Sequence, residues 1–197
     1  MSREHDVELF ILKNAVITQD LHSAFAAHRV GNTRGILEAQ ADSLVAEYLR
    51  QVDFETLADA ERMSEFYKLF YALENDMRDL IESTLADSKG DDWWANAVPQ
   101  AVRDNVGKNY EREASEGMPP RSDRLINYTT FGELGEIVKE NWDVFSGMFS
   151  NATRNRVLRV INRLNVVRGP IAHCNFLPEE EAIRLKLAIR DWYKLME

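Results

Sequence analysis

The feature that most constrains the fold is an apolar stripe between residues 58 and 87, whose members recur at intervals of three and four. This spacing places side chains on one face of an α-helix, here about eight turns long. Packing of such a face, more than helix propensity, is what stabilises a helix. The segment is therefore predicted to anchor a helical core. Its apolar residues are Phe66, Leu69, Phe70, Leu73, Met77, Leu80, Ile81 and Leu85.

Helical periodicity recurs along much of the remaining chain. It predicts helices over residues 35–52, 99–110, 130–149, 153–168 and 179–197, with the capping-box sequence Thr130-Phe-Gly-Glu133 at the start of the third of these. The segment from Leu125 to Thr130 is predicted to be extended. The fold class is therefore all-α, with six or seven helices forming one bundle.

The composition limits where the protein is expected to act. The single cysteine, Cys174, excludes an internal disulfide framework and suits a reducing compartment. No apolar run approaches the roughly 20 residues that span a membrane, and the first residues are too acidic for a signal peptide. A cytoplasmic protein without a membrane partner is expected.

Charge is unevenly distributed. The net charge is −9, yet the segment from Val144 to Pro178 has no acidic residue. Two interpretations remain open: local contact with phosphates, or pairing with acidic neighbours in the same fold. The exclusive use of arginine favours recognition of planar oxyanions. The five arginines of this strip are Arg154, Arg156, Arg159, Arg163 and Arg168.

The strip ends in an Arg-x4-His pair, Arg168 and His173. Five residues along a regular helix correspond to a rotation of about 500°, which leaves the two side chains about 140° apart. Gly169-Pro170 is expected to break the helix, because proline disfavours helical geometry in the residue before it. We therefore predict that one helix ends at Arg168 and a new turn begins at Pro170. The break would turn both side chains toward one cleft.

Two other pairs have both structural and functional interpretations. Glu74 and Arg78 lie four apart in the orientation that favours a helical ion pair, and a structural role is the preferred interpretation. Trp93 and Trp94 could stack on nucleobases, but a hydrophobic plug over the core is preferred.

Several of these stretches, in this order, resemble a HEPN domain (higher eukaryotes and prokaryotes nucleotide-binding). The most similar subgroup occurs at the C-terminus of a yeast nuclear endoribonuclease and in bacterial conflict proteins. The resemblance divides the chain into an N-terminal helical extension, residues 1–58, and a HEPN-like bundle, residues 59–197. The stretches run from Tyr67 to Arg78, Trp93-Trp94, Val98-Pro99, Tyr128 to Leu134, Asn141-Trp142, Arg168 with His173, and Leu177 to Glu181.

The resemblance implies a homodimeric, metal-independent endoribonuclease that needs no cofactor, often a toxin or antiviral effector. RNA, a second copy of the chain, and an antitoxin or larger defence-system partner are the implied partners. Arg168 and His173 would be catalytic, and Glu74 and Arg78 would support the structure. Further residues near the pair are predicted to bind substrate or support the site: Asn162, Arg163, Asn165, Arg159 and Asn175.

The two catalytic side chains suit cleavage of RNA by its own 2′-hydroxyl. A histidine transfers protons near neutral pH, and a guanidinium stabilises charge on phosphorane oxygens. One departure from the family is Gly169, where active members usually have a polar residue after the arginine. It motivates an alternative, a catalytically inactive HEPN module that binds RNA or a protein. A third interpretation is a helical interaction protein with a coincidental motif.

Overall fold

The computed structural model describes residues 42–43, 45–149 and 152–197. The chain divides into two units, Met1–Leu57 and Ala58–Glu197, and the second contains all the site residues discussed below. Of the helix predicted over residues 35–52, residues 42–43 and 45–49 are helical, and residues 35–41 and 44 lie outside the described part. The division into an extension and a bundle domain stays a prediction.

All regular structure in the described residues is helical, which confirms the all-α fold class. Two short 3-10 segments, Leu125–Tyr128 and Ser146–Met148, accompany the α-helices. The α-helices are α1 (Phe54–Lys89), α2 (Trp93–Ala97), α3 (Gln100–Ser115), α4 (Phe131–Glu140), α5 (Trp142–Phe145), α6 (Arg154–Ala172) and α7 (Glu179–Lys194).

Helix α6 packs against both α4 and α7. Val157, Ile161 and Leu164 recur at intervals of four and three on its inner face and are almost completely buried. The long helix α1 also contributes its predicted apolar face to the core, except that Leu69 is exposed and Leu80 only partly buried. Trp93 is buried and Trp94 packs against the core, so the preferred hydrophobic-plug interpretation is confirmed.

The start of α4 forms as its sequence predicts. Thr130 accepts a hydrogen bond from the Glu133 backbone N–H, and the Glu133 carboxylate accepts one from the Thr130 N–H at 2.7 Å. The helix predicted to continue to residue 149 instead ends at Glu140, and this prediction is wrong. Asn141 interrupts it because its side-chain amide donates to the carbonyls of Ile137 and Ala97, at 2.9 and 2.8 Å.

The stretch before α4 is not extended, as was predicted, but is the 3-10 segment Leu125–Tyr128. Ile126 and Tyr128 are both buried, so every second side chain faces the core here, as it would in a strand. It arises in a tight turn, where the Thr129 N–H and hydroxyl both bond the Ile126 carbonyl. Short 3-10 turns are common connectors, and apolar alternation alone does not exclude them.

The contact between α4 and α6 depends on a glycine. A Cβ at Gly135 would lie 3.0 Å from Ile161 Cγ2, whereas a Cβ at Gly107 in α3 would meet nothing within 4 Å. We therefore expect Gly135→Leu to lower the free energy of unfolding by about 1–3 kcal/mol through overpacking.

Urea unfolding would measure this effect, with Gly107→Leu as the matched control. The control should raise stability by about 0.5 kcal/mol, because leucine favours a helix more than glycine does. Equal stability of the two variants would contradict the close packing of α4 on α6.

Candidate active site

Helix α6 runs through Gly169-Pro170 and ends at Ala172, so the predicted break is wrong. Proline clashes with the backbone N–H and the Cβ of the residue before it, and Gly169 has no Cβ, so part of this clash is absent. Pro170 also lies in the last turn, where its missing N–H removes a single bond. The ladder continues past it: the His173 N–H donates to the Gly169 carbonyl at 3.1 Å.

Because the helix is continuous, Arg168 and His173 point in different directions. Arg168 is partly buried against α1, with 31% of its side chain exposed. His173 caps the C-terminus of α6 and is exposed. Within one chain, therefore, Arg168 lines the groove described below and His173 does not.

The buried partner of Arg168 is Glu74. The Arg168 Nε donates to Glu74 Oε2 at 2.9 Å, and the Arg78 Nη2 donates to Glu74 Oε1 at 2.5 Å. One carboxylate thus lies between two guanidinium groups and joins α1 to the end of α6. The predicted Glu74–Arg78 pair is confirmed, and Arg168 extends it. We refer to Glu74, Arg78 and Arg168 as the Arg-Glu-Arg cluster.

The cluster carries one excess positive charge. The pKa of Arg78 lies below its ordinary value, chiefly because the side chain is buried. Glu74 partly offsets this effect by raising the pKa, and the neighbouring Arg168 lowers it further. Arg78 is held further by the Thr129 carbonyl, which accepts from its Nη2 at 3.0 Å. Its buried Nε has no hydrogen-bond partner among the residues that the structure describes. A buried cation with an incompletely satisfied fork favours a further oxyanion nearby.

The cluster forms part of the wall of an open groove of about 420 Å³. Tyr67 and Tyr71 line it from α1, while Arg121 and Asn127 line it from the segment before α4. Arg121 pairs with Glu113, its Nε lying 3.0 Å from Oε2, and it lies over the Tyr128 ring. The groove therefore combines three arginines with exposed aromatic rings.

Sequence reasoning missed most of this groove. Tyr67, Tyr71, Glu74 and Arg78 recur at four, three and four, which is a second helical stripe beside the apolar one. That spacing was a readable signal. Arg121 and Asn127 had none, because they lie in a loop and a 3-10 turn whose path depends on tertiary packing.

Comparison with known proteins settles the family. The profile of the Swt1-like HEPN family matches residues 68–197. The chain belongs to this HEPN family. The resemblance inferred from the ordered motifs is thereby confirmed, and with it a general role in RNA cleavage or RNA binding. No curated protein and no solved structure matches the chain.

The five residues predicted to bind substrate or support the catalytic pair in this HEPN domain lie outside the groove, whereas Glu74 and Arg78 line it. Asn162, Arg159 and Asn165 are exposed along α6. The Asn165 amide lies near Gly132 of α4, and the Asn175 amide donates to the His173 carbonyl at 3.2 Å. Their predicted roles in binding or support are not tested by this placement.

The five arginines of the strip differ in the contacts that they make. Arg168 is paired with Glu74, and Arg154 donates to the Lys139 carbonyl at 2.8 Å. Among the residues that the structure describes, Arg156, Arg159 and Arg163 form no salt bridge. Arg163 lines a second groove of about 530 Å³, between α6 and α7. Internal pairing therefore accounts for only part of the strip.

Two features are absent from the described ranges. No helix there is long and apolar enough to cross a membrane. Nor does any group of three or more His, Cys, Asp or Glu side chains in those ranges lie close enough to hold a metal ion.

The Arg-Glu-Arg cluster should be sensitive to loss of its carboxylate. Glu74→Ala would leave Arg78 and Arg168 facing each other largely out of water. We expect it to lower the free energy of unfolding by about 3 kcal/mol, as for other buried pairs that lose one partner. Chemical denaturation of purified protein would measure the change.

Glu65 offers a matched control on the same helix, because it pairs with Lys68 while their side chains are 66% and 67% exposed. Glu65→Ala should change stability by less than about 1 kcal/mol. Similar losses for the two variants would contradict a structural role for the cluster.

Proposed function

We propose that the protein is a metal-independent endoribonuclease that acts as a homodimer and uses Arg168 and His173. The observation that carries the proposal is the position of Arg168. It lies at the edge of a positively charged groove, five residues before an exposed histidine, in a chain that belongs to the HEPN family.

The reaction follows from these two side chains. The 2′-oxygen of a ribose attacks its own 3′-phosphorus while one His173 imidazole accepts the hydroxyl proton. A second His173, in its imidazolium form, donates a proton to the departing 5′-oxygen. Arg168 stabilises the negative charge that develops on the non-bridging phosphoryl oxygens. The products are a 2′,3′-cyclic phosphate and a 5′-hydroxyl end.

Glu74 orients Arg168 without occupying its whole fork. Only the Nε of Arg168 bonds to the carboxylate. Within the described residues, neither Nη group of Arg168 forms a hydrogen bond, so the outer edge of the guanidinium can receive a phosphate in bidentate geometry. This supports Arg168 as the group that contacts the phosphate.

A second copy of the chain completes the proposed site. His173 lies outside the groove that Arg168 lines, and the proposal is that a second copy supplies the imidazole for that groove. Two-fold symmetry around the ends of the two α6 helices would bring two arginines and two histidines together. One imidazole then acts as base and the other as acid.

The biological setting is part of the proposal and rests on the family resemblance. A cytoplasmic ribonuclease of this kind would serve as a toxin or an antiviral effector, restrained by an antitoxin or by a larger defence-system partner.

The second candidate is a HEPN module that binds RNA or a protein partner without cleaving RNA. Gly169 favours it, because it supplies no polar side chain beside Arg168. The same groove and arginines would then serve for binding alone.

The His173→Ala variant should lose RNA cleavage by a factor of about 10²–10⁴, because proton transfer by a positioned side chain contributes about that much. The assay is cleavage of a labelled single-stranded RNA in buffer containing a chelator. Arg156→Ala is the control, since Arg156 is exposed on the same helix. Undiminished cleavage by His173→Ala would overturn the assignment, and absence of cleavage by the wild type would favour the binding module.

Mixing subunits tests the shared cleft. If each reaction needs both histidines, one His173→Ala chain inactivates the dimer it enters. After subunit exchange at a one-to-one ratio, activity per wild-type chain should fall to about half, because half of the wild-type chains then have inactive partners. Constant activity per wild-type chain would show that each chain acts independently.

A further inference from the structure

The groove beside the Arg-Glu-Arg cluster has features that the cleavage chemistry alone does not require. Cleavage needs Arg168 and His173, but the groove continues along α1 past Tyr71 to Tyr67. Its volume of about 420 Å³ lies in the range of about 300–1,000 Å³ that is common for small-ligand sites. It is therefore large enough to hold part of a substrate as well as the reacting phosphate.

The two tyrosines are exposed although they border the core. Tyr67 is 58% and Tyr71 63% exposed, so both rings are accessible from the groove. Their centroids lie 6.2 Å apart with the planes tilted by 36°. A base between them would need about 7 Å, twice the contact distance of about 3.5 Å, and parallel planes. A base therefore cannot fit between the two rings, but it can stack on the outer face of one of them.

The charged end of the groove lies about one helical turn of α1 from Tyr71. Glu74 lies three residues after Tyr71, a rise of about 4.5 Å along α1, and it holds Arg168 and Arg78 at that level. A phosphate on Arg168 therefore lies closer to the ring of Tyr71 than to that of Tyr67. Arg121 adds a third guanidinium to the wall.

We propose that this groove binds one unstacked nucleotide of single-stranded RNA, with its base on the face of Tyr71 and its phosphate at Arg168 and Arg121. The inference rests on the proposed function, because it assigns a substrate subsite to the same cleft. Bases that are splayed out of a strand commonly stack on aromatic side chains, and arginines hold the backbone beside them. The groove therefore selects single-stranded over double-stranded RNA.

The test measures RNA binding in the His173→Ala background, so that the RNA stays intact. Fluorescence anisotropy of a labelled single-stranded oligonucleotide gives Kd at several salt concentrations. Tyr71→Ala should weaken binding about tenfold, which corresponds to about 1.4 kcal/mol and lies within the range for loss of one stacked base. Tyr71→Phe keeps the ring and should bind as the parent does.

Two further variants separate stacking from charge. Arg121→Gln should lower the slope of log K against log salt by about 0.7, as expected for one phosphate contact to a single strand, whereas Tyr71→Ala should leave the slope unchanged. Tyr193→Ala is the aromatic control, because Tyr193 is exposed on α7 and does not line the groove. Its Kd should stay at the parental value.

The outcomes are distinct. If the parent binds RNA and Tyr71→Ala binds equally well, the nucleotide site is wrong while the proposed nuclease stands. Equal affinity of the parent for double-stranded and single-stranded RNA would also overturn it. If the wild type neither binds nor cleaves RNA, the proposed function fails, and the inference fails with it. Thermal unfolding of each variant checks that the exposed substitutions leave the fold intact.

Discussion

The carboxylate of Glu74 joins helix α1 to the end of helix α6, and the candidate site depends on both. It accepts one hydrogen bond from Arg78 on its own helix and another from Arg168, 94 residues further along the chain. Arg78 also donates to the Thr129 carbonyl, just before α4, and to the Asn75 side chain on its own helix. Removing one charge from such a cluster leaves the others buried without compensation, so α1, α4 and the end of α6 are held in a common arrangement.

This arrangement explains why the groove is polar although it borders the core. Helix α1 buries one face and presents a neighbouring stripe of tyrosine, glutamate and arginine. The segment before α4 supplies the opposite wall, held by Arg121 on Glu113 and over the Tyr128 ring. Charged and aromatic groups thus keep fixed positions through packing, which is the condition for preorganised electrostatic stabilisation.

The sequence predicts the helices well where burial and capping agree. The apolar stripe of α1 and the capping box at Thr130 are local, so they could be read directly. Three predictions were wrong where a local signal had more than one structural solution. Asn141 ended a helix through its side chain, Ile126 and Tyr128 alternated in a 3-10 turn, and Gly169 relieved the strain that Pro170 usually imposes. The walls of the groove depend on contacts between distant segments, which periodicity does not encode.

The unbroken α6 changes how the Arg-x4-His motif should be understood. If the helix had bent at Pro170, Arg168 and His173 of one chain would have met at one cleft, and a second chain would have supplied only the second imidazole. Because the helix continues, Arg168 is directed toward α1 while His173 remains in solvent at the helix end. The two positions therefore keep the rotation of about 140° around the helix axis that a regular helix gives to residues five apart. Under the proposed mechanism, a second chain therefore brings an imidazole to the phosphate beside Arg168.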